Sequence, residues 1–83
     1  MDKRMNPKTD RHLYRQDNFD YELFGRKVRQ GRVWDNLTQD GLAREIGCVR
    51  STISKCERGM AIDPRIMIAI CCRFKLNILD YCI

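Results

Sequence analysis

One 23-residue segment, LTQDGLAREIGCVRSTISKCERG at positions 37–59, constrains the fold more than any other part of the chain. It contains two short runs with the apolar spacing of helices, and Gly47 stands between them. Thr38 is a suitable N-cap for the first run, and glycine adopts the positive φ that ends a helix. Helices joined by about three residues cross steeply with close backbones. Ala43 permits that approach and Ile53 fills the space between the helices, so the segment predicts two short helices packed at a sharp turn.

The remaining periodic segments are also helical. Tyr21, Phe24 and Val28 recur at spacings of three and four, which predicts a first helix over about residues 20–35. Asp63 followed by proline marks the start of a fourth helix, and Asn77 is the N-cap of a short fifth one. No strand pattern appears. We therefore expect an all-α, compact five-helix domain over residues 19–83.

The third helix carries polar and basic residues at the positions that do not face the core. These positions are Arg50, Ser51, Ser54 and Lys55, and their side chains can hydrogen-bond base edges or phosphates. The chain holds 16 basic and 11 acidic residues, a formal net charge of +5. Such a balance favours a polyanionic partner, usually nucleic acid, although it also suits a merely soluble surface. An ordinary helical hairpin with a polar outer face is the simpler interpretation.

Residues 1–18 are polar and nearly devoid of aliphatic side chains, and we interpret them as a flexible basic N-terminal arm. The arm holds five basic residues against three acidic ones. A solvated tail is the default, and contact with nucleic acid is the sharper alternative. The arm has no apolar core of a secretory signal, and the chain has no run long enough to cross a membrane. We expect a cytoplasmic protein.

From Phe24 onward the chain resembles the lambda-type repressor and Cro family, the XRE-like helix-turn-helix regulators. The segments that carry the resemblance are FGRKVRQGR, LTQDGLAREIG, RSTISKCERG, the DP dipeptide and LNILDY. The resemblance implies a domain with its helix-turn-helix at helices 2 and 3 and with the third helix in the DNA major groove. It also implies a homodimer that binds a palindromic operator in double-stranded DNA and acts as a repressor by occluding a promoter.

The resemblance assigns roles to individual residues. The base-reading set is Arg50, Ser51, Ser54 and Lys55, preceded by Val49, which is placed to touch a thymine methyl group. The DNA backbone contacts are Gln39, Thr38, Arg58 and Arg65. Arg32 and Glu57 match a structural salt bridge between the first and third helices. Candidates for the dimer interface are Ile78, Leu79, Tyr81, Cys82 and Ile83.

Four positions depart from the pattern of that family. Gly41 stands where relatives usually place glutamate, so the capping box of helix 2 is lost. Gly31 stands where relatives bury a leucine, so we expect Trp34 either to fill the gap or to lie exposed at a partner interface. Val49 replaces the usual serine or threonine cap of helix 3, which leaves open a later start with Ser51 as cap. Lys75 takes the place of the common glycine after helix 4.

Other functions use the same fold. One alternative is an antitoxin of a toxin–antitoxin pair, with the same DNA-binding head and a protein partner. A second is an adaptor that binds RNA or protein, and a third is a redox-responsive regulator that uses Cys72 or Cys82.

We expect neither an enzyme nor a metalloprotein. The five cysteines are odd in number and include no C-x-x-C pair, so they form a poor disulfide or zinc framework and are expected to pack as small apolar residues. The only histidine, His12, lies far from them. No catalytic set of nucleophile and base and no phosphate-binding glycine loop is recognisable, and no cofactor is implied.

Overall fold

The computed structural model describes residues 18–83. Within that range four α-helices, with a 3₁₀ helix after them, follow in chain order: α1 Tyr21–Trp34, α2 Gln39–Ile46, α3 Arg50–Glu57, α4 Pro64–Phe74 and the 3₁₀ helix Ile78–Tyr81. Within these described residues there is no β-strand, so the prediction of an all-helical fold is confirmed for that part. The predicted N-terminal arm and His12 lie outside the described residues, apart from Asn18. No helix in the described range is long and apolar enough to cross a membrane.

Three of the helices begin at side-chain caps. The side chains of Asp20, Thr38 and Asp63 each accept a hydrogen bond from a backbone N–H in the first turn, at 3.0, 2.9 and 2.8 Å. These bonds satisfy donors that have no partner within the helix. Local sequence therefore determines where α1, α2 and α4 start.

The start of α3 differs from these three. Val49 occupies the N-cap position, has no side-chain cap bond, and is followed directly by Arg50 as the first helical residue. The later start with Ser51 as cap is therefore wrong. Val49 adopts an extended backbone, and its carbonyl already accepts a hydrogen bond from the Thr52 N–H at 3.0 Å.

The fifth predicted helix is a single 3₁₀ turn rather than an α-helix. Asn77 caps it by accepting from the Leu79 N–H at 3.1 Å. The turn ends because the following backbone pairs with the residues before α1. Tyr81 accepts from the Asp20 N–H at 2.6 Å, and Cys82 forms an isolated antiparallel bridge with Phe19.

Every helix contributes side chains to one core. The buried residues are Phe24, Val28, Leu42, Ala43, Ile53, Cys56, Met67, Ile70, Cys71 and Tyr81. The ring of Phe24 meets that of Tyr81 edge to face, with the centroids 5.2 Å apart. This contact holds the 3₁₀ turn against α1.

Two glycines of α1 allow neighbouring elements to approach closely. A Cβ atom on Gly25 would lie 2.3 Å from the Cys56 carbonyl oxygen, so α3 passes directly against the backbone of α1. At Gly31 a Cβ atom would lie 2.7 Å from the ring of Phe74. Phe74 therefore fills the space that the family gives to a leucine. The expectation that Trp34 fills it is wrong, because that side chain is 87% exposed.

Candidate nucleic-acid interface

The joint between α2 and α3 consists of residues 47–49. Gly47 ends α2 with φ of 90°, a left-handed conformation that favours glycine. The Ala43 carbonyl accepts hydrogen bonds from the N–H groups of Gly47 and Cys48 at 2.8 and 2.9 Å. Ala43 and Ile53 are buried on the inner sides of the two helices. The turn thus fixes α3 against α2 and leaves one side of α3 facing outward.

The outward side of α3 presents the polar residues that the sequence singled out. Arg50, Ser51 and Lys55 are exposed, and Ser54 is half-buried. Arg50, Ser51, Ser54 and Arg58 line one shallow surface depression. Lys55 does not line it. At 100° per residue Ser51 and Lys55 each lie about 160° around the helix from Ile53, so these two side chains point away from the core.

Val49 extends this outward side at the N-terminal end of α3. Its side chain is exposed, in contrast to the apolar residues that follow it on the same helix. It offers methyl groups beside the first exposed cation, Arg50. Together these residues form a mixed apolar and hydrogen-bonding surface, which we call the α3 face: Val49, Arg50, Ser51, Ser54, Lys55 and Arg58.

The α3 face carries uncompensated positive charge. Among residues 18–83, Arg50 and Lys55 form no ion pair, whereas Arg44 and Arg73 each pair with carboxylates. The only acidic residue of α3 is Glu57. Its carboxylate is directed inward, so no negative charge on that helix offsets the two exposed cations.

Glu57 joins three helices through its carboxylate. Arg32 of α1 donates from Nε to Oε2 at 2.6 Å and from Nη2 to Oε1 at 3.1 Å. Gln39, the first residue of α2, donates from Nε2 to Oε1 at 3.1 Å. The Arg32 side chain is 14% exposed and that of Glu57 is 5% exposed. We call Arg32, Gln39 and Glu57 the Glu57 cluster.

The Glu57 cluster fixes the position of α3. Arg32 also donates from Nη1 to the Leu37 carbonyl at 2.8 Å, which ties the loop before α2 to the same guanidinium. The hydrogen bond to Glu57 raises the pKa of Arg32 further above its ordinary value, so the charge is permanent. The family resemblance predicts the pairing of Arg32 with Glu57. It does not predict the hydrogen bond from Gln39 to Glu57, because it assigns Gln39 only to the DNA backbone.

The four residues that the resemblance assigns to DNA backbone contacts differ in the bonds that their side chains already make. Arg58 is exposed at the C-terminal end of the α3 face, and its Nε lies 3.4 Å from the Ser54 carbonyl oxygen. Thr38 uses its hydroxyl oxygen as a cap, and Gln39 uses its amide in the Glu57 cluster. Arg65 pairs with Asp63 at 3.0 Å, and its hydrogen bond lowers the pKa of that carboxyl group. A phosphate contact by Arg65 would therefore compete with Asp63.

The dimer candidates divide into core and surface. Tyr81 is 4% exposed and belongs to the core, and Ile78 is packed partly against it. Leu79 is 71% exposed, and Cys82 and Ile83 are exposed with it. Of the five candidates, these three are the exposed ones.

The cysteines are all free thiols. Burial raises the pKa of Cys56 to about 12 and also raises the pKa values of Cys48 and Cys71. These three are therefore held as neutral thiols at physiological pH. Cys72 and Cys82 are exposed.

Comparison with known proteins identifies the family to which this arrangement belongs. Residues 23–74, which run from α1 to the end of α4, match the helix-turn-helix domain family. The chain belongs to that family. Membership indicates a DNA-binding regulator, and the matched span includes both α2 and α3. No curated protein and no solved structure matches the chain.

Sequence reasoning missed Gly25 as a residue on which the site depends. Gly25 lies within the segment FGRKVRQGR that carries the family resemblance, but the resemblance assigns it no role. The close approach of Gly25 to the Cys56 carbonyl joins residues that are far apart in the chain, so the spacing of neighbouring residues does not predict it. The available signal was a glycine between Phe24 and Val28 on the buried side of a helix, where glycine is otherwise unfavourable.

Proposed function

We propose that this helix-turn-helix protein is a lambda-repressor-like or Cro-like regulator that reads double-stranded DNA with α3. In this proposal α2 and α3 form the DNA-binding pair. The observation that carries it is the α3 face, where hydrogen-bonding and cationic side chains stand exposed on one short helix that is fixed from behind. The family resemblance in segments 24–32, 37–47 and 50–59 supports the narrower assignment.

The dimensions of α3 suit the major groove. Eight residues at 1.5 Å per residue give a helix of about 12 Å, and the groove is about 12 Å wide. Arg50 and Lys55 would each donate to the O6 and N7 atoms of a guanine. The serine hydroxyls would bond to either donors or acceptors, and the Val49 methyl groups would contact a thymine methyl.

Phosphate contacts would set the register of α3 in the groove. Arg58 forms the C-terminal end of the α3 face, and Arg65 stands at the start of α4. Thr38 and Gln39 lie at the N-terminus of α2, where the first backbone N–H groups favour an anion. Gln39 would link the phosphate to the Glu57 cluster, because one of its two amide hydrogens is already donated to Glu57.

A homodimer would give the selectivity that one short helix lacks. Two copies related by a two-fold axis would place their α3 helices in successive major-groove segments, about 10 base pairs apart on a palindrome. Leu79, Cys82 and Ile83 offer the exposed apolar surface for the subunit contact. A bound dimer would cover a promoter and exclude polymerase, without catalysis by this chain.

Random-site selection on duplex DNA tests this function. The wild-type protein is expected to enrich a palindrome, and Arg50→Ala and Lys55→Ala each to lose preference at particular base positions. A lost bidentate contact is worth about 1–3 kcal/mol, or about 5- to 150-fold in relative affinity. Arg26→Ala removes the same charge from the outer side of α1 and is the matched control, expected to leave the selected sequence unchanged.

Three outcomes would count against the proposal. Absence of any enriched sequence would refute sequence-specific reading. If Arg50→Ala and Lys55→Ala weaken binding equally for all sequences, those side chains contact phosphates and do not read bases. Enrichment of a single half-site by a monomer would refute the dimer. Affinity should also fall steeply with salt, because phosphate contacts release counterions.

A further inference from the structure

The outer side of α1 carries an exposed surface that DNA reading does not use. Trp34, the only tryptophan of the chain, is 87% exposed, and Val33 beside it is also exposed. With Arg26, Arg29 and Gln30 they line a groove. We call these five residues the Trp34 patch.

The Trp34 patch faces away from the core. At 100° per residue Val33 lies about 180° around α1 from Phe24 and about 140° from Val28, both of which are buried. In the α3 face Ser51 and Lys55 likewise lie about 160° around the helix from the buried Ile53. The core between α1 and α3 therefore separates the two surfaces, so occupation of one leaves the other accessible.

Positive charge surrounds Trp34 without compensation. Arg26, Lys27, Arg29 and Lys75 form no ion pair with any residue in the range 18–83. A second groove joins Trp34 to Lys27 and Lys75. The acidic residue at its margin, Asp35, is already paired with Arg73 at 3.0 Å.

We propose that the Trp34 patch binds an acidic, amphipathic segment of a partner protein. Trp34 and Val33 would receive its apolar side chains, and the surrounding cations would pair with its carboxylates. Exposed tryptophan and arginine are the residue types that dominate the binding energy of protein interfaces. The patch lacks a carboxylate of its own, so the complementary charge must come from the partner.

The charge distribution disfavours two other occupants. A second copy of the chain on a two-fold axis would bring the patch against itself, and Arg26 and Arg29 would face their own like charges. Duplex DNA would place the indole of Trp34 and the methyl groups of Val33 against phosphates, which they cannot hydrogen-bond. Only an acidic protein segment satisfies both the apolar centre and the basic rim.

Selection from a phage-displayed library of random peptides tests the proposal. The folded wild-type protein is the bait, and the double variant Arg26→Gln/Arg29→Gln is used for counter-selection. We expect the enriched peptides to combine aspartate or glutamate with aromatic or aliphatic residues. A synthetic copy of the strongest peptide should change the intrinsic emission of the wild-type protein, because its single tryptophan lies in the patch.

Variants locate the binding site of that peptide. With a fluorescein-labelled copy, anisotropy should show about 30-fold weaker binding to Trp34→Ala, the loss typical of a central hot-spot residue. Arg50→Ala is the matched control and should bind the peptide as the wild type does. Far-ultraviolet circular dichroism and urea unfolding of each variant establish that it is folded.

Several results would overturn the proposal. These are enrichment without acidic residues, equal binding to wild type and Trp34→Ala, and stronger binding to vesicles that contain phosphatidylserine than to the peptide. A concentration-dependent shift in emission without peptide would assign the patch to a second copy. The proposal does not rest on the DNA-binding role, since site selection and peptide selection use separate surfaces and can fail independently.

Discussion

Replacement of Glu57 by alanine should destabilise this domain strongly. The change would leave the Arg32 guanidinium without its ion-pair partner and the Gln39 amide without its acceptor. Removing one partner of a buried pair costs about 3–5 kcal/mol. Arg32 keeps its bond to the Leu37 carbonyl and is 14% exposed, so we expect the low end, about 3 kcal/mol. That is a large fraction of the about 5–15 kcal/mol that small domains possess.

Urea unfolding at neutral pH measures this loss directly through linear extrapolation. Arg44→Ala is the matched control, because it also removes one partner of an ion pair within the described residues. The pair that Arg44 forms with Asp40 is exposed and four residues apart on α2, so its loss should cost only about 0.3–0.5 kcal/mol. If Glu57→Ala costs no more than Arg44→Ala, the reasoning from burial is wrong.

A double variant separates the effect of the Arg32–Glu57 pair on the stability of the domain from its effect on the orientation of α3. Arg32→Met combined with Glu57→Met removes both charges and keeps apolar volume, a replacement that is often neutral or stabilising. We expect it to regain most of the stability that Glu57→Ala loses. We also expect it to bind operator DNA more weakly than wild type, since α3 is no longer tied to α1 and α2. Unchanged DNA affinity in a stable double variant would refute the orienting role.

Further variants and treatments test other contacts. Gly25→Ala should cost about 1–3 kcal/mol in urea unfolding, because its Cβ meets the rigid Cys56 carbonyl, and Gly31→Ala should cost less because it meets a side-chain ring. Iodoacetamide should label Cys72 in the native protein and Cys56 only after unfolding, as mass spectrometry of peptides would show. Burial in the folded state raises the pKa of Cys56 from 9.0 to about 12. The stabilisation that comes from keeping this thiol protonated should therefore be complete below pH 9.0 and be lost from the free energy of unfolding as the pH rises through 12. Leu79→Glu should shift the proposed dimer to monomer in analytical ultracentrifugation, and a dimer that persists in this variant would exclude that surface as the subunit contact.

The parts of the fold that follow from short-range chemistry were predictable from the sequence. Asp20, Thr38 and Asp63 cap helices because their side chains reach a backbone N–H two or three residues ahead. The outward direction of Ser51 and Lys55 follows from the helical period once Ile53 is placed in the core. Each of these inferences uses neighbours within one or two turns.

The features that the sequence did not reveal depend on contacts between distant segments. Phe74 lies over Gly31 and leaves Trp34 exposed, although tryptophan was the larger candidate to fill the space. Tyr81 enters the core through its contact with Phe24, which converts an expected helix into one 3₁₀ turn. At the candidate site, the hydrogen bond from Gln39 to Glu57 joins residues 18 positions apart, so local spacing did not predict it.

The pairing of Phe19 with Cys82 has a consequence for synthesis of the protein on the ribosome. The residues that precede α1 can form their hydrogen bonds to residues 81–83 only after those residues have been translated. Until then the ring of Phe24 lacks its contact with Tyr81, and the nascent chain keeps an apolar surface open. Closure across more than 60 residues carries an entropic cost that local turns avoid. Vectorial synthesis should therefore leave this domain incomplete until residues 81–83 have emerged from the ribosome.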